Sequence, residues 1–133
     1  MDAHTDAVLA RLGANANLTV YDGARKKTDP VREPPYVVVY VYVPSEWRSK
    51  LNQTTTDRHQ ITISTHSAGA DRPSADIVRR HVRTQLLDWV PGVAGFTCYR
   101  VNHEDGDAPA WDDTGGALLM SASDQWDYYC QPA

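Results

Sequence analysis

The sequence predicts an α+β fold: an antiparallel or mixed sheet of four to five strands with two helices packed on one face. Three observations carry that prediction. Runs of strand-forming residues are broken by one long amphipathic helical pattern, the arrangement expected when helices and antiparallel strands are segregated. Residues 36–43 consist entirely of tyrosine and valine, β-branched and aromatic on both parities, as in a strand covered on both sides over part of its length. Residues 59–65 place Ile61 and Ile63 on one face and Gln60, Thr62 and Ser64 on the other, the period of a half-buried strand. At 133 residues the chain has the length of one domain, 1–133.

Each element follows from local signals. Val8 and Leu12 lie four apart before Gly13 and predict a short first helix, with Thr5 or Asp6 as its cap. Leu18-Thr19-Val20-Tyr21 reads as a strand stopped by the turn dipeptide Asp22-Gly23. A charged stretch over 24–35 closes on Pro34-Pro35 and reads as a solvated loop. The strand at 36–43 ends at Pro44, and a long connection over 44–57 leads to the strand at 59–65, its expected antiparallel partner; hairpin loops are usually ~2–5 residues. Asp71 is placed to cap the second helix, Pro73 fits its first turn, and Ile77, Val78, Val82, Leu86 and Trp89 follow the helical repeat up to Pro91-Gly92. Phe96 to His103 is expected as one strand, Glu104 to Gly116 as an acidic loop, and Ser121 to Cys130 as the last strand, with Trp126 in phase with Asp124 and Tyr128.

Composition narrows the classes of function. A hydrophobic share of 41% and a charged share of 23% are those of a globular chain rather than a disordered one. Thirteen basic against 17 acidic residues give a net charge of -4, which provides no broad basic surface for nucleic acid phosphates. The longest apolar run, 36–43, is far short of the ~20 residues of a membrane helix. The polar, acidic N-terminus lacks the basic region of a signal peptide. Cys98 and Cys130 are too few for a disulfide framework and read as thiols of a reducing cytoplasm.

Residues able to carry chemistry do not converge. His4, His59, His66, His81 and His103 show no zinc-ligand spacing, so neither a metal nor another cofactor is expected. There is no Gly-x-Ser-x-Gly elbow and no activated cysteine signature. Glu104, Asp105, Asp107, Asp112 and Asp113 could supply paired carboxylates, but their Gly- and Pro-punctuated setting reads as a solvated surface loop. The expectation is therefore a protein that is not an enzyme. Arg79, Arg80 and Arg83 share the solvent side of the second helix; they serve either as a solubilising face or as ion-pairing groups for a partner, a use to which the arginine fork is suited. Trp47 beside Arg48, and Trp111 beside Asp112 and Asp113, lie in the two long loops. Tryptophans flanked by charge are typical of contact sites, the alternative being a loop folded back on its own body.

The order of segments resembles the tail terminator (tail completion) proteins of long-tailed phages, especially those of actinobacteria. The resemblance rests on the short N-terminal helix, Leu18-Thr19-Val20-Tyr21-Asp22-Gly23, the strand Pro34-Pro35-Tyr36-Val37-Val38-Val39-Tyr40, the helix Ile77-Val78-Arg79-Arg80-His81-Val82-Arg83, Val93-Ala94-Gly95, and Asp124-Gln125-Trp126. It spans nearly the whole chain as a pattern of similar elements, without a catalytic motif, and the closing residues 128–133 depart from it. It implies a subunit of a hexameric ring in the virion neck, assembled in the host cytoplasm. Such a ring caps the tail tube, ends its polymerisation and meets the head-side connector, while DNA passes through without specific binding and no membrane is involved. Two other readings stay open: a head-tail joining or head completion protein, and a small ligand-binding or enzymatic α+β domain.

Overall fold

The computed structural model describes residues 2–23, 33–42, 59–112 and 118–133. In chain order these form α1 (Asp2–Gly13), β1 (Val20–Asp22), β2 (Tyr36–Tyr42), β3 (His59–Gly69), α2 (Arg72–Leu86), β4 (Phe96–Cys98), β5 (Asn102–Gly106), β6 (Ala110–Asp112) and β7 (Leu119–Pro132). The fold is α+β, with two helices and a mixed sheet of seven strands among the described residues. That sheet is larger than the four to five strands expected. β1 joins β2 in parallel, and β3 pairs antiparallel with both β2 and β7. β7 runs for 14 residues, long enough to take β4, β6 and β5 at different points along its other side.

The extra strands come from segments whose composition does not announce them. Residues 104–106 and 110–112, expected within an acidic loop, belong to β5 and β6, because β7 otherwise presents a row of backbone groups that need partners. The single strand expected over Phe96–His103 is two. Val101 is fully buried and leaves the ladder: its N–H donates to the Trp89 carbonyl at 2.8 Å, and its own carbonyl accepts the Asp88 N–H at 3.1 Å. The chain thus detours to close the segment after α2 before returning to β7 as β5.

α2 begins as its sequence dictates. Asp71 accepts the Ser74 N–H at 2.9 Å, which holds its carboxyl below the usual carboxylate range. The buried stripe, however, is Ala75, Val78, Val82 and Leu86. Ile77, expected inward, is 49% exposed, since one residue turns a helix by about 100° away from the stripe. The helix ends at Leu86, so Trp89 lies beyond it, half-buried with the Arg11 guanidinium 5.6 Å from its ring centre. Arg11 also ties the two helices together: its Nε donates to the Gln85 carbonyl at 2.8 Å, and Gln85 Nε2 donates to the Arg11 carbonyl at 2.7 Å.

The core gathers around Trp126 and Tyr128 of β7. Val37 and Val39, Ile61 and Ile63 meet Val8 and Leu12 of α1 and Val78, Val82 and Leu86 of α2 in one cluster. Trp126 satisfies its indole N–H on Thr65 Oγ1 at 3.1 Å. Cys98 and Cys130 stand opposite each other on β4 and β7 as free thiols; burial pushes Cys130 up to about 11 and raises Cys98, so both are protonated. Among the described residues, no helix is long and apolar enough to cross a membrane.

α1 starts at Asp2, earlier than a cap at Thr5 or Asp6 allows, and this carries His4 into the interior. His4 Nδ1 shares a hydrogen bond with the Tyr128 hydroxyl at 2.6 Å, and Nε2 lies 3.9 Å from Cys130 Sγ. A neutral ring serves both contacts, and burial lowers the His4 pKa below its ordinary value; His66 is lowered for the same reason. As pH falls through about 6.5, the unfolded chain takes up protons that the folded chain refuses, so stability falls with pH. The urea midpoint is expected to drop between about pH 7.5 and about pH 5.5, and H4Q or H66Q to flatten that dependence; an unchanged slope in both variants contradicts the assignment.

Candidate assembly interface

The three arginines singled out in the sequence do not act alike. Arg79 lies on the flank of α2 that meets β7, where Nε and Nη2 donate to Oδ2 and Oδ1 of Asp124 at 2.8 and 2.9 Å. Asp124 is almost wholly buried, and its Oδ1 also accepts from His103 Nε2 at 2.9 Å. The His103 ring in turn stands edge-on to Trp126, with centres 4.6 Å apart. Arg79 is therefore a structural cation, not a free solvent-side charge, and the hydrogen bonds it donates to Asp124 raise its pKa further. Because the carboxylate has two bonded cationic or polar partners, its burial is compensated.

Arg80 and Arg83 remain exposed. Neither has a carboxylate within ion-pair distance among the described residues. With Asp76 and Arg79 they line a cleft of about 190 Å³ floored by Asp124 and Trp126. The helix that carries them cannot roll, since its inner stripe is in the core and Arg79 is pinned.

Trp111 and Asp112 sit on β6, a strand rather than a loop, opposite Met120 and Leu119 of β7. Trp111 is 58% exposed, as a contact residue would be. Trp47, Arg48 and Asp113 lie outside the described residues. The structure thus groups Arg80 and Arg83 on α2 and places Trp111 and Asp112 on a separate sheet edge.

A second feature was not legible as a site. Gln60 and Thr62 of β3, Gln125 and Asp127 of β7, Tyr42 of β2, and Glu104 and Asp105 of β5 surround a cavity of about 640 Å³. It lies on the sheet face away from Ile61, Ile63 and Trp126, since alternate residues of a strand point to opposite faces. Asp127 is 2% exposed; Gln60 Nε2 donates to its Oδ2 at 2.8 Å, whereas Oδ1 receives no hydrogen bond from the described residues. The Asp127 carboxyl raises the Glu104 pKa, first through the hydrogen bond the two carboxyls can share when one proton is present, then through the repulsion of its charge.

A β-bulge makes this arrangement. His103 faces Trp126 and Asp105 faces Gln125, leaving Glu104 as the extra residue. The insertion puts two consecutive carboxylates at the same cavity, which a regular strand cannot do. It also brings Gly106 opposite Asp124, where a Cβ would collide with Asp124 Oδ1 and Arg79 Nη2.

These features define an α+β protein built on a mixed sheet, with a charged helix flank on one side and an acidic cavity on the other. No protein-family model matches the chain, and no curated protein matches it. Among solved structures, 14 chains match. One of them, whose name describes no activity, aligns over 99% of this chain and 96% of its own, with a TM-score of 0.59 at 17% identity. A likeness at that identity establishes the fold alone.

Removing one partner of a buried ion pair strands the other. R79A is expected to lower the unfolding free energy by about 3 kcal/mol in urea denaturation, and R83A to change it by less than about 0.5 kcal/mol. G106A is expected to destabilise as well, since the added methyl pushes into the same pair; equal urea midpoints for all three variants and wild type contradict the assignment.

Proposed function

We propose that this chain is a structural protein of the phage neck. Copies of it close head to tail into a hexameric ring that caps the tail tube, ends its polymerisation and meets the head-side connector. DNA passes through the ring without specific binding, no cofactor or membrane takes part, and the protein resides at the head-tail junction of the virion after assembly in the host cytoplasm. The observation that carries this reading is the pair Arg80 and Arg83, exposed and without carboxylate partners among the described residues, on a helix held by its opposite flank. The order of segments shared with tail terminators, from Leu18-Thr19-Val20-Tyr21 to Asp124-Gln125-Trp126, supplies the kind of assembly. In this reading both helices form a single layer over the core face, a placement supported by their joint contribution to the cluster around Trp126 and Tyr128. The other face is left for contacts.

A closed ring needs two different patches on each subunit, one meeting the other on its neighbour. Short, charged edge strands such as β5 guard against unregulated sheet pairing while leaving room for a shaped partner. The same ring geometry serves a head completion protein, which differs in the step that fails when it is lost. One observation favours a reading from another class, a small ligand-binding or enzymatic domain: the neighbouring carboxyls of Glu104 and Asp127 at one cavity.

Light scattering on the purified protein, alone and mixed with isolated tails, is expected to give the mass of six subunits, and R83E to shift it toward the single subunit. Phage lacking the protein are expected to make tails of uncontrolled length. Tails of normal length on heads that lose DNA would favour the head completion role, and a monomer under every condition would overturn the ring.

A further inference from the structure

We infer that the cavity holding Glu104, Asp105 and Asp127 is the receiving half of the subunit contact, and that it takes the guanidinium of Arg80 or Arg83 from a second copy of this chain. This rests on the ring reading and adds to it which surface meets which.

The cavity asks for a cation. A carboxylate as buried as Asp127, with one oxygen accepting from an amide and the other, among the described residues, from nothing, lacks the compensation that buried charge requires. Among the described residues, no Lys or Arg lines the cavity to supply it. Its volume of about 640 Å³ has room for a long side chain and is generous for a bare ion. Among the described residues no group of three His, Cys, Asp or Glu is arranged to hold a metal ion. A guanidinium brings five N–H donors in a planar fork, able to bridge Asp127 and Glu104 together.

The complementary cation is on the same chain and on the other side. Asp124 and Trp126, which floor the arginine cleft, and Asp127, at the acidic cavity, have opposite parity on β7. Arg80 and Arg83 therefore cannot reach the cavity of their own subunit around the sheet, yet they are presented outward for a neighbour's. Donor and receptor on opposite faces are what a head-to-tail closed ring demands, and a two-fold dimer does not. The bulge at Glu104 has a use in this scheme, because it doubles the negative charge facing the incoming fork.

The test is a charge exchange on the full chain, read by light scattering and sedimentation across a concentration series. E104K and R83E are each expected to raise the concentration for half-assembly by at least about tenfold. The double variant E104K/R83E, or E104K/R80E, is expected to recover most of that loss. Glu104 and Arg83 are exposed, so circular dichroism and urea midpoints should match wild type and separate lost assembly from lost folding. Rings of normal strength in E104K would overturn this contact while leaving the ring reading intact, and so would singles that fail with neither double rescued. A wild-type chain that stays monomeric, alone and on isolated tails, would overturn the ring itself. Thermal stabilisation of wild type by calcium or magnesium, lost in E104Q, would assign the cavity to a metal instead and overturn the proposal.

Discussion

One buried carboxylate organises the molecule. Asp124, on the core side of β7, is reached by Arg79 from α2 and by His103 from β5, so a single side chain fixes the position of a helix and an edge strand relative to the longest strand of the sheet. The hydrophobic cluster holds these elements close, but apolar contact has no direction, and a helix stripe of Ala75, Val78, Val82 and Leu86 could settle at several rotations. The two-pronged arginine selects one. Gly106 belongs to the same constraint, since any larger residue opposite Asp124 would occupy the space the guanidinium needs. His103 continues the chain of contacts onto Trp126, joining the polar network to the centre of the core.

The opposite sides of the sheet have opposite electrostatic character. On the helix side the carboxylate is matched, and surplus positive charge is left over in Arg80 and Arg83. On the far side, among the described residues, Asp127 is matched by the Gln60 amide and stands near a second carboxyl, and the surplus there is negative. A net charge of -4 hides this polarity, which matters more for association than the total. The Arg11–Gln85 exchange ties the end of α2 that carries Arg83 to the end of α1.

The elements whose character is local were readable. β2 is written in tyrosine and valine, β3 in alternation, and the start of α2 in Asp71 and Pro73, each of which needs only its neighbours to be recognised. What escaped depends on partners distant in sequence. β5 and β6 are polar and punctuated, and exist as strands because β7 supplies their hydrogen bonds. Arg79 looks like its neighbours Arg80 and Arg83 until Asp124, 45 residues away, is placed beneath it. Ile77 and Trp89 fit a generous helical stripe and are excluded by where the real one points and where the helix stops. The acidic cavity was least legible, because Glu104 and Asp105 read as a solvated pair in any sequence; their joint aim comes from a bulge that has no compositional mark.

Asp124 and Asp127 are separated by three positions, an odd number, on a strand whose side chains alternate. This has a consequence for how the sheet finds its alignment. Sliding β7 by a single residue would carry the first carboxylate away from its arginine and drive the second into the apolar cluster, two electrostatic faults from one small error. The strand therefore gauges its own placement, and misaligned sheets are rejected by charge as well as by shape.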